Sequence, residues 1–457
     1  MRLEYDRGTI ICVQTEAEAY KNVAQLPGMQ WDKRTGVFRA EAERYAEICR
    51  ALNINQINFF DTIANDLNTK LVWKAIPLRP YQEAALTAWQ LNGNRGLVVL
   101  PTGSGKTRVA LAAAAQLMQP TLVLVPTRVL LEQWITAISN FYGGTIGCVG
   151  DGIFNIASVT VTTYASAWRH MPLLGKHFGL LIIDEAHHLG SGLPNEVMAM
   201  SVAPARLGIT ATPSTTLIEN NASERLLGPL VYQLTIADLA GKYLADFDSI
   251  VLWVKLTADE REAYLADRQI FLNVYRRFCM THSDPSWQEF IATARRSDIG
   301  RCALTAHERS LRLLRLTKHK EALVANLLSR HADARVLVFT SDNYTAYKLA
   351  RFMLIMPITC DINRSERRDA LMKFRIGELS ALVSAQVLNE GIDIPDADVA
   401  IIVGSSRGER EHVQRVGRLL RPSIGKRAIV YELVTSATNE VSKANKRRKG
   451  LGNLNPI

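Results

Sequence analysis

The residues from Pro101 to Thr107 read Pro, Thr, Gly, Ser, Gly, Lys, Thr and follow the apolar run Leu97 to Leu100. Gly103 and Gly105 let successive backbone N–H groups curl around phosphate oxygens. Lys106 brings a positive charge toward the β- and γ-phosphates, and the Thr107 hydroxyl can ligate Mg2+. These types at this spacing specify a triphosphate site, with ATP and Mg2+ the expected ligands and Thr102, Gly103, Ser104, Gly105, Lys106 and Thr107 its binding residues. The segment Val109 to Leu117 is alanine-rich and predicts a helix whose N-terminus faces the anion.

Two further groups could act on a bound triphosphate. Asp184 and Glu185 close the apolar run Leu181 to Ile183. Asp184 is then placed to hold the Mg2+ shell and Glu185 to orient and polarise the attacking water as general base; two acids after a buried strand could instead cap a helix. In the second half, Arg415, Arg418 and Arg421 recur every third residue, with Gln414 just before the first and Gly417 between the first two. On a helix the three arginines share a face, and an always-charged planar guanidinium suits the dispersed charge of phosphoryl transfer; surface ion pairing is the alternative.

Parallel strands must present these groups. Short β-rich runs at Gly96–Leu100, Thr121–Pro126, Val159–Thr162, Gly179–Ile183 and Arg206–Thr210 alternate with helical stretches, which predicts a parallel sheet covered by helices. The loop 101–107, Asp184 and Thr210 each follow such a strand, so they should meet at one sheet edge. The rhythm returns at Arg335–Thr340, Leu382–Ser384, Val399–Val403 and Ala428–Leu433, without a second phosphate loop. Ahead of both halves, residues 1–72 predict a small α+β module with strands near 8–13 and 31–38 and a helix at Ala40–Leu52. Between the halves, a charged helical stretch carries Arg276, Arg277, Arg295 and Arg296 among Tyr264, Phe271, Tyr275, Trp287 and Phe290, a solvated face or a nucleic-acid contact.

Composition narrows the class. A chain of 457 residues can hold about three domains. Its apolar runs are strand-length, and its first residues lack a signal core, which predicts a soluble cytoplasmic protein with no membrane partner. Cys12, Cys49, Cys148, Cys279, Cys302 and Cys360 form no Cys-x-x-Cys pair, so neither a zinc site nor a disulfide framework is expected. The net charge of +10 suits a polyanionic partner.

In order and spacing, these motifs resemble those of superfamily 2 helicases and, within them, the xeroderma pigmentosum group B (XPB) family in its compact archaeal and bacterial form. Leu78 to Gln82 resembles the adenine-side motif, Pro101 to Thr107 motif I, Val125 to Arg128 motif Ia and Thr162 to Tyr164 motif Ib. Asp184 to His187 resembles motif II, Thr210 to Thr212 motif III and Val338 to Thr340 motif IV, while Ser384 to Pro395 and Gln414 to Pro422 resemble motifs V and VI.

The resemblance implies an α/β fold of two RecA-like parallel-sheet lobes at 73–238 and 239–457, with a damage-recognition-like domain at 1–72 and a helical thumb-like insertion near 257–325. It implies a DNA-dependent ATPase moving 3′ to 5′, with Lys106, Asp184, Glu185, Gln414, Arg418 and Arg421 catalytic, and Arg79, Gln82, Gly391 and Asp393 adding nucleotide contacts. DNA would be gripped, largely without regard to sequence, through Arg128, Thr163, Thr340, Ser384 and Gln386. The family's short Arg-Glu-Asp element after motif III has no counterpart in Pro213 to Asn220. Two alternatives stay open: a duplex translocase of branch-migrating or restriction type without strong unwinding, and an ATP-gated DNA scaffold for a nuclease.

Overall fold

The computed structural model describes residues 1–13, 23–63, 71–189, 193–212, 221–239, 241–243, 246–282, 286–385, 397–404 and 427–449. The chain divides into two compact units, Met1–Thr235 and Ile236–Ile457.

The first unit opens on a five-stranded sheet. Its strands are β1 (Arg2–Asp6), β2 (Thr9–Val13), β3 (Gln30–Asp32), β4 (Val37–Glu41) and β5 (Phe60–Asp61), in the order β3-β4-β2-β1-β5. Alternation puts Leu3, Ile10, Cys12, Phe38 and Ala40 on the buried face, and helix α1 (Tyr45–Ile54) covers them with Tyr45, Ile48 and Leu52. The sequence places this helix too early, because Ala42–Arg44 form a separate 3-10 turn. Side chains fasten the small module to the rest of the unit. The Tyr5 hydroxyl donates to Met171 O and Met200 O at 2.8 and 3.0 Å, Val202 completes the module's core, and Arg225 pairs with Glu41 and Glu43. A Cβ at Gly175 would overlap both Met200 O and the Tyr5 hydroxyl.

Next come α2 (Pro80–Leu91), β6 (Arg95–Val99), α3 (Lys106–Leu117), β7 (Thr121–Val125), α4 (Arg128–Ser139), β8 (Ile146–Gly150), β9 (Ile153–Asn155), β10 (Val159–Thr163) and α5 (Tyr164–Leu174). After them stand β11 (Leu180–Asp184), α6 (Leu193–Ala199), β12 (Ala205–Thr210), α7 (Asn221–Leu227) and β13 (Leu230–Gln233). The sheet runs β13-β6-β12-β11-β7-β10-β8-β9, parallel except for the β8–β9 hairpin. Strands β7, β10, β11 and β12 are buried along their whole length, as expected of central parallel strands covered on both faces. Register aligns Asp184 with Ile209 and Thr210 with Val99, so the carboxyl ends of β6, β12 and β11 lie side by side. At the other end of β12, fully buried Arg206 gives its guanidinium to the carbonyls of Ser201, Ala203 and Leu226.

In the second unit β14 (Asp246–Val254) precedes α8 (Ala258–Thr281), α9 (Trp287–Ala294), α10 (Asp298–Arg315) and α11 (Lys318–Arg330). The remainder alternates β15 (Val336–Phe339), α12 (Asn343–Met353), β16 (Met356–Ile358), α13 (Arg364–Ile376), β17 (Ala381–Ser384), β18 (Val399–Ile402), β19 (Arg427–Thr435) and α14 (Glu440–Lys449). Six parallel strands run β14-β19-β18-β15-β17-β16. Helices α8 to α10 stand apart as the expected insertion, cored by Phe271, Phe278 and Phe290. Buried Lys320 ties this insertion to the sheet by bonding Leu314 O, at the end of α10, and the Glu440 carboxylate. Among the described residues no helix is long and apolar enough to cross a membrane.

Candidate nucleotide site

The β6–α3 turn is built to face an anion. Gly103 and Gly105 sit at φ +83° and +82°, the left-handed region that glycine enters without strain. Helix α3 starts at Lys106, three residues earlier than the alanine pattern suggests. Its N-cap is Gly105, so no side chain caps its first N–H groups. Ser104 folds inward, with Oγ donating to Pro101 O at 2.7 Å, and the Lys106 ammonium rests 3.4 Å from the same carbonyl. The Thr102 hydroxyl is buried without a hydrogen-bond partner, and Thr107 is half-buried in the first turn of α3.

Behind the turn stands α2. The Tyr81 hydroxyl and Gln82 Nε2 both donate to Ser104 O, at 2.6 and 2.7 Å, while Gln82 Oε1 accepts from the Arg79 N–H at 2.8 Å. Gln82 is 2% exposed, and a Cβ on Gly105 would come within 2.5 Å of its Nε2. Its amide therefore braces the loop from the rear. Arg79, half-buried, is the N-cap of the same helix.

Asp184 ends β11, one strand beyond β12, which pairs with β6. Its Oδ1 accepts from Glu185 N at 2.9 Å, and its Oδ2 accepts from Trp134 Nε1 at 2.8 Å. The Tyr164 hydroxyl donates to the Asp184 carbonyl at 2.7 Å. Burial first, then the negative charge of Glu185, pushes the Asp184 carboxyl up to about 6, against the pull of the Trp134 bond and the Lys106 charge. Glu185 adopts φ +49°, uncommon for a residue with a side chain and typical of strained functional turns. His187, 6% exposed, sets Nδ1 3.0 Å from Thr210 Oγ1 and 3.3 Å from Glu185 Oε2, joining the tips of β11 and β12.

This constellation fits Mg2+ and a triphosphate. A buried carboxylate raised toward neutrality gains from a cation, and the orphan Thr102 hydroxyl and open α3 terminus lack only acceptors. Among the described residues no cluster of His, Cys, Asp and Glu could hold a metal alone.

The DNA candidates fall into two groups. Arg128, at the start of α4, is exposed and ion-paired with Asp151 of the β8–β9 turn at 2.5 Å; Thr163 caps α5 by accepting from Ser166 N. Thr340 and Ser384, by contrast, are buried, and their hydroxyls donate inside the unit, Thr340 to Asp342 O and Ser384 to Ile358 O, both at 3.1 Å. Gln386, Gly391, Asp393, Gln414, Arg418 and Arg421 lie outside the described residues, as does the 213–220 segment. Sequence reasoning missed Trp134 and Tyr164 as supports of Asp184; the available signal was that a buried indole or phenol needs a hydrogen-bond partner.

Three family models match the chain. They are the xeroderma pigmentosum group B helicase damage recognition domain over residues 3–63, the type III restriction enzyme res subunit over 75–215 and the helicase conserved C-terminal domain over 319–423. A DNA 3′-5′ translocase XPB2 of Sulfurisphaera tokodaii is 33% identical over 98% of this chain and 99% of its own. A DNA 3′-5′ helicase XPB of Mycobacterium tuberculosis is 31% identical over 82% of this chain, which spans 63% of that relative's length. Among solved structures, the Pyrococcus furiosus Hef helicase domain aligns with a TM-score of 0.55 at 17% identity, covering 81% of this chain and 98% of that one. Saccharomyces cerevisiae Dbp5 bound to RNA and ADP BeF3 aligns at 0.56 with 14% identity, covering 83% and 88%. These two share the α/β fold of RecA-like lobes.

Proposed function

The chain belongs to the XPB family, and from that premise we propose that it is a DNA-dependent ATPase of the 3′-5′ helicase and translocase type, acting in DNA repair. In the proposed cycle the Gly103–Thr107 backbone and Lys106 hold the β- and γ-phosphates. Thr107 and Asp184 would hold Mg2+, which when bound would neutralise charge on the phosphate oxygens. The Glu185 carboxylate accepts the proton of the water attacking the γ-phosphorus, and ADP leaves. His187 reports the state of Glu185 to Thr210. By the resemblance of their motifs, Gln414, Arg418 and Arg421 are assigned charge stabilisation, and Arg79, Gln82, Gly391 and Asp393 further nucleotide contacts. DNA phosphates meet Arg128 and Thr163 in the first lobe, and Thr340, Ser384 and Gln386 mark the second lobe's share of the track.

The observation that carries this reading is that an uncapped helix N-terminus after β6 and, after β11, a buried carboxylate followed by a strained glutamate stand on either side of the tip of β12. ATP turnover measured with single-stranded, duplex and forked DNA tests it. Stimulation by DNA is the expected result, and turnover indifferent to all three would refute the motor.

Strong unwinding is less well supported than translocation, because the Arg-Glu-Asp element is missing from the sequence at 213–220. A displacement assay on a tailed duplex separates the two: ATP-driven motion without strand release favours the translocase. Recruitment of a nuclease with Lys106→Ala retaining DNA affinity would favour the scaffold reading.

A further inference from the structure

Two helices of the first unit start at residues assigned above to DNA and deliver hydrogen bonds to one and the same residue of the nucleotide site. Helix α4 begins at Arg128, capped by Thr127, whose Oγ1 accepts from Leu130 N. Roughly 9 Å along its axis, by the rise of an α-helix, Trp134 donates from Nε1 to Asp184 Oδ2. Helix α5 is capped by Thr163, and its first residue, Tyr164, donates from its hydroxyl to the Asp184 carbonyl. One bond fixes the carboxylate and the other fixes the backbone that carries it. Both aromatic side chains are buried, at 2% and 8% exposure, so neither donor has water as a substitute partner.

From this convergence we infer that Trp134 and Tyr164 are positioning residues that couple DNA occupancy at the starts of α4 and α5 to the setting of Asp184. The inference rests on the reading above, in which Arg128 and Thr163 face DNA and Asp184 faces Mg2+. It supplies the differential contact that any such coupling requires. Arg128 is held by Asp151, a residue at φ +55° on the β8–β9 turn. A phosphate that takes Arg128 releases this pair and changes what α4 is tied to at its outer end. The helix is packed through Leu131, Trp134 and Ile138, and packed elements move as bodies, so the inner end follows.

The test uses the full chain with Trp134→Phe and Tyr164→Phe, each keeping a ring in its site and losing the donor. Two ratios are measured: ATP turnover with and without single-stranded DNA, and the affinity for a fluorescent single strand with and without a non-hydrolysable ATP analogue and Mg2+. Coupling between sites in proteins spans roughly 5- to 150-fold. Each variant is expected to lower both ratios at least fivefold toward unity while nucleotide-free DNA affinity stays within twofold of the parent chain.

Ratios within twofold of the parent overturn the inference, and so does an equal fall of basal and stimulated turnover, the mark of plain support for Asp184. If Trp134→Phe melts too low to assay, Tyr164→Phe, which removes a single hydroxyl, decides alone. A parent chain whose turnover ignores DNA would overturn the proposed function and the inference with it; a stimulated parent with fully coupled variants overturns the inference only.

Discussion

Two strand-to-helix turns in this molecule differ in length, Leu100–Gly105 against Thr340–Asp342, and in the residue at the N-cap of the helix they lead into. In the first unit β6 leads into α3 through Gly105, which offers the helix no cap. In the second β15 leads into α12 through Asp342, whose Oδ1 accepts from Thr345 N at 2.9 Å and whose carboxylate also takes the Thr345 hydroxyl. A carboxylate at a helix start satisfies the orphan N–H groups and the positive end of the dipole from within. An anionic ligand would have to expel it. Glycine leaves both to whatever arrives, so the first turn is open to an anion and the second is closed by its own cap.

The largest expected effect lies just beside the open turn. Glu185→Gln should lower DNA-stimulated turnover by about 10²-fold or more, the usual scale of a lost general base, while ATP analogue binding persists. Turnover within twofold of the parent would remove Glu185 from the chemistry and leave the contrast between the turns without a catalytic meaning.

Next in size, Gly105→Asp imposes the second unit's cap on the first. It places a side chain at φ +82°, crowds Gln82 and sets a negative charge where phosphate binds. ATP affinity, measured by titration of a fluorescent analogue, should fall at least tenfold, since one factor of ten needs only ~1.4 kcal/mol. Retained affinity would break the comparison outright.

A pH series sharpens it. Asp184 holds its proton up to about 6 in the folded chain, above the ordinary value of 3.8, so its contribution to stability is present at low pH and is lost as pH rises through 6. Mg2+ with an ATP analogue prefers the ionised form. The gain in melting temperature on adding them should therefore be larger at pH 7.5 than at pH 5, and Asp184→Asn should flatten that difference.

The smallest effect is on the closed turn. Asp342→Ala should cost about 1 kcal/mol of stability, a cap's usual worth, read as a fall of a few degrees in melting temperature, with ATP affinity unchanged. A matching loss of ATP affinity would mean that the two turns are not independent.

Much of the site is legible in the sequence because its chemistry is local. Gly103, Gly105, Lys106 and Thr107 are contiguous, and Asp184 and Glu185 announce themselves at the end of an apolar strand. The alternation of strands and helices likewise gives both parallel sheets. What escapes is whatever depends on distant partners. Gln82 resembles a nucleotide contact, and the sequence does not show that its amide also braces Ser104 and Arg79. Thr340 and Ser384 read as phosphate ligands by type, and the sequence does not show that their hydroxyls also donate to Asp342 O and Ile358 O. Strand β14 is missed because its partner, β19, lies at the far end of the unit's sequence. Trp134 and Tyr164 carry no motif-like spacing relative to Asp184, and only folding brings them to it.

The fastening of the amino-terminal sheet has its own consequence. Tyr5 is seated over Gly175, Val202 is shared with the small core, and Arg225 is gripped by two glutamates, so module and first lobe ride as a single chassis. Any obstacle met by the module is then felt as mechanical load on the engine block itself, with no separate messenger needed to carry the news.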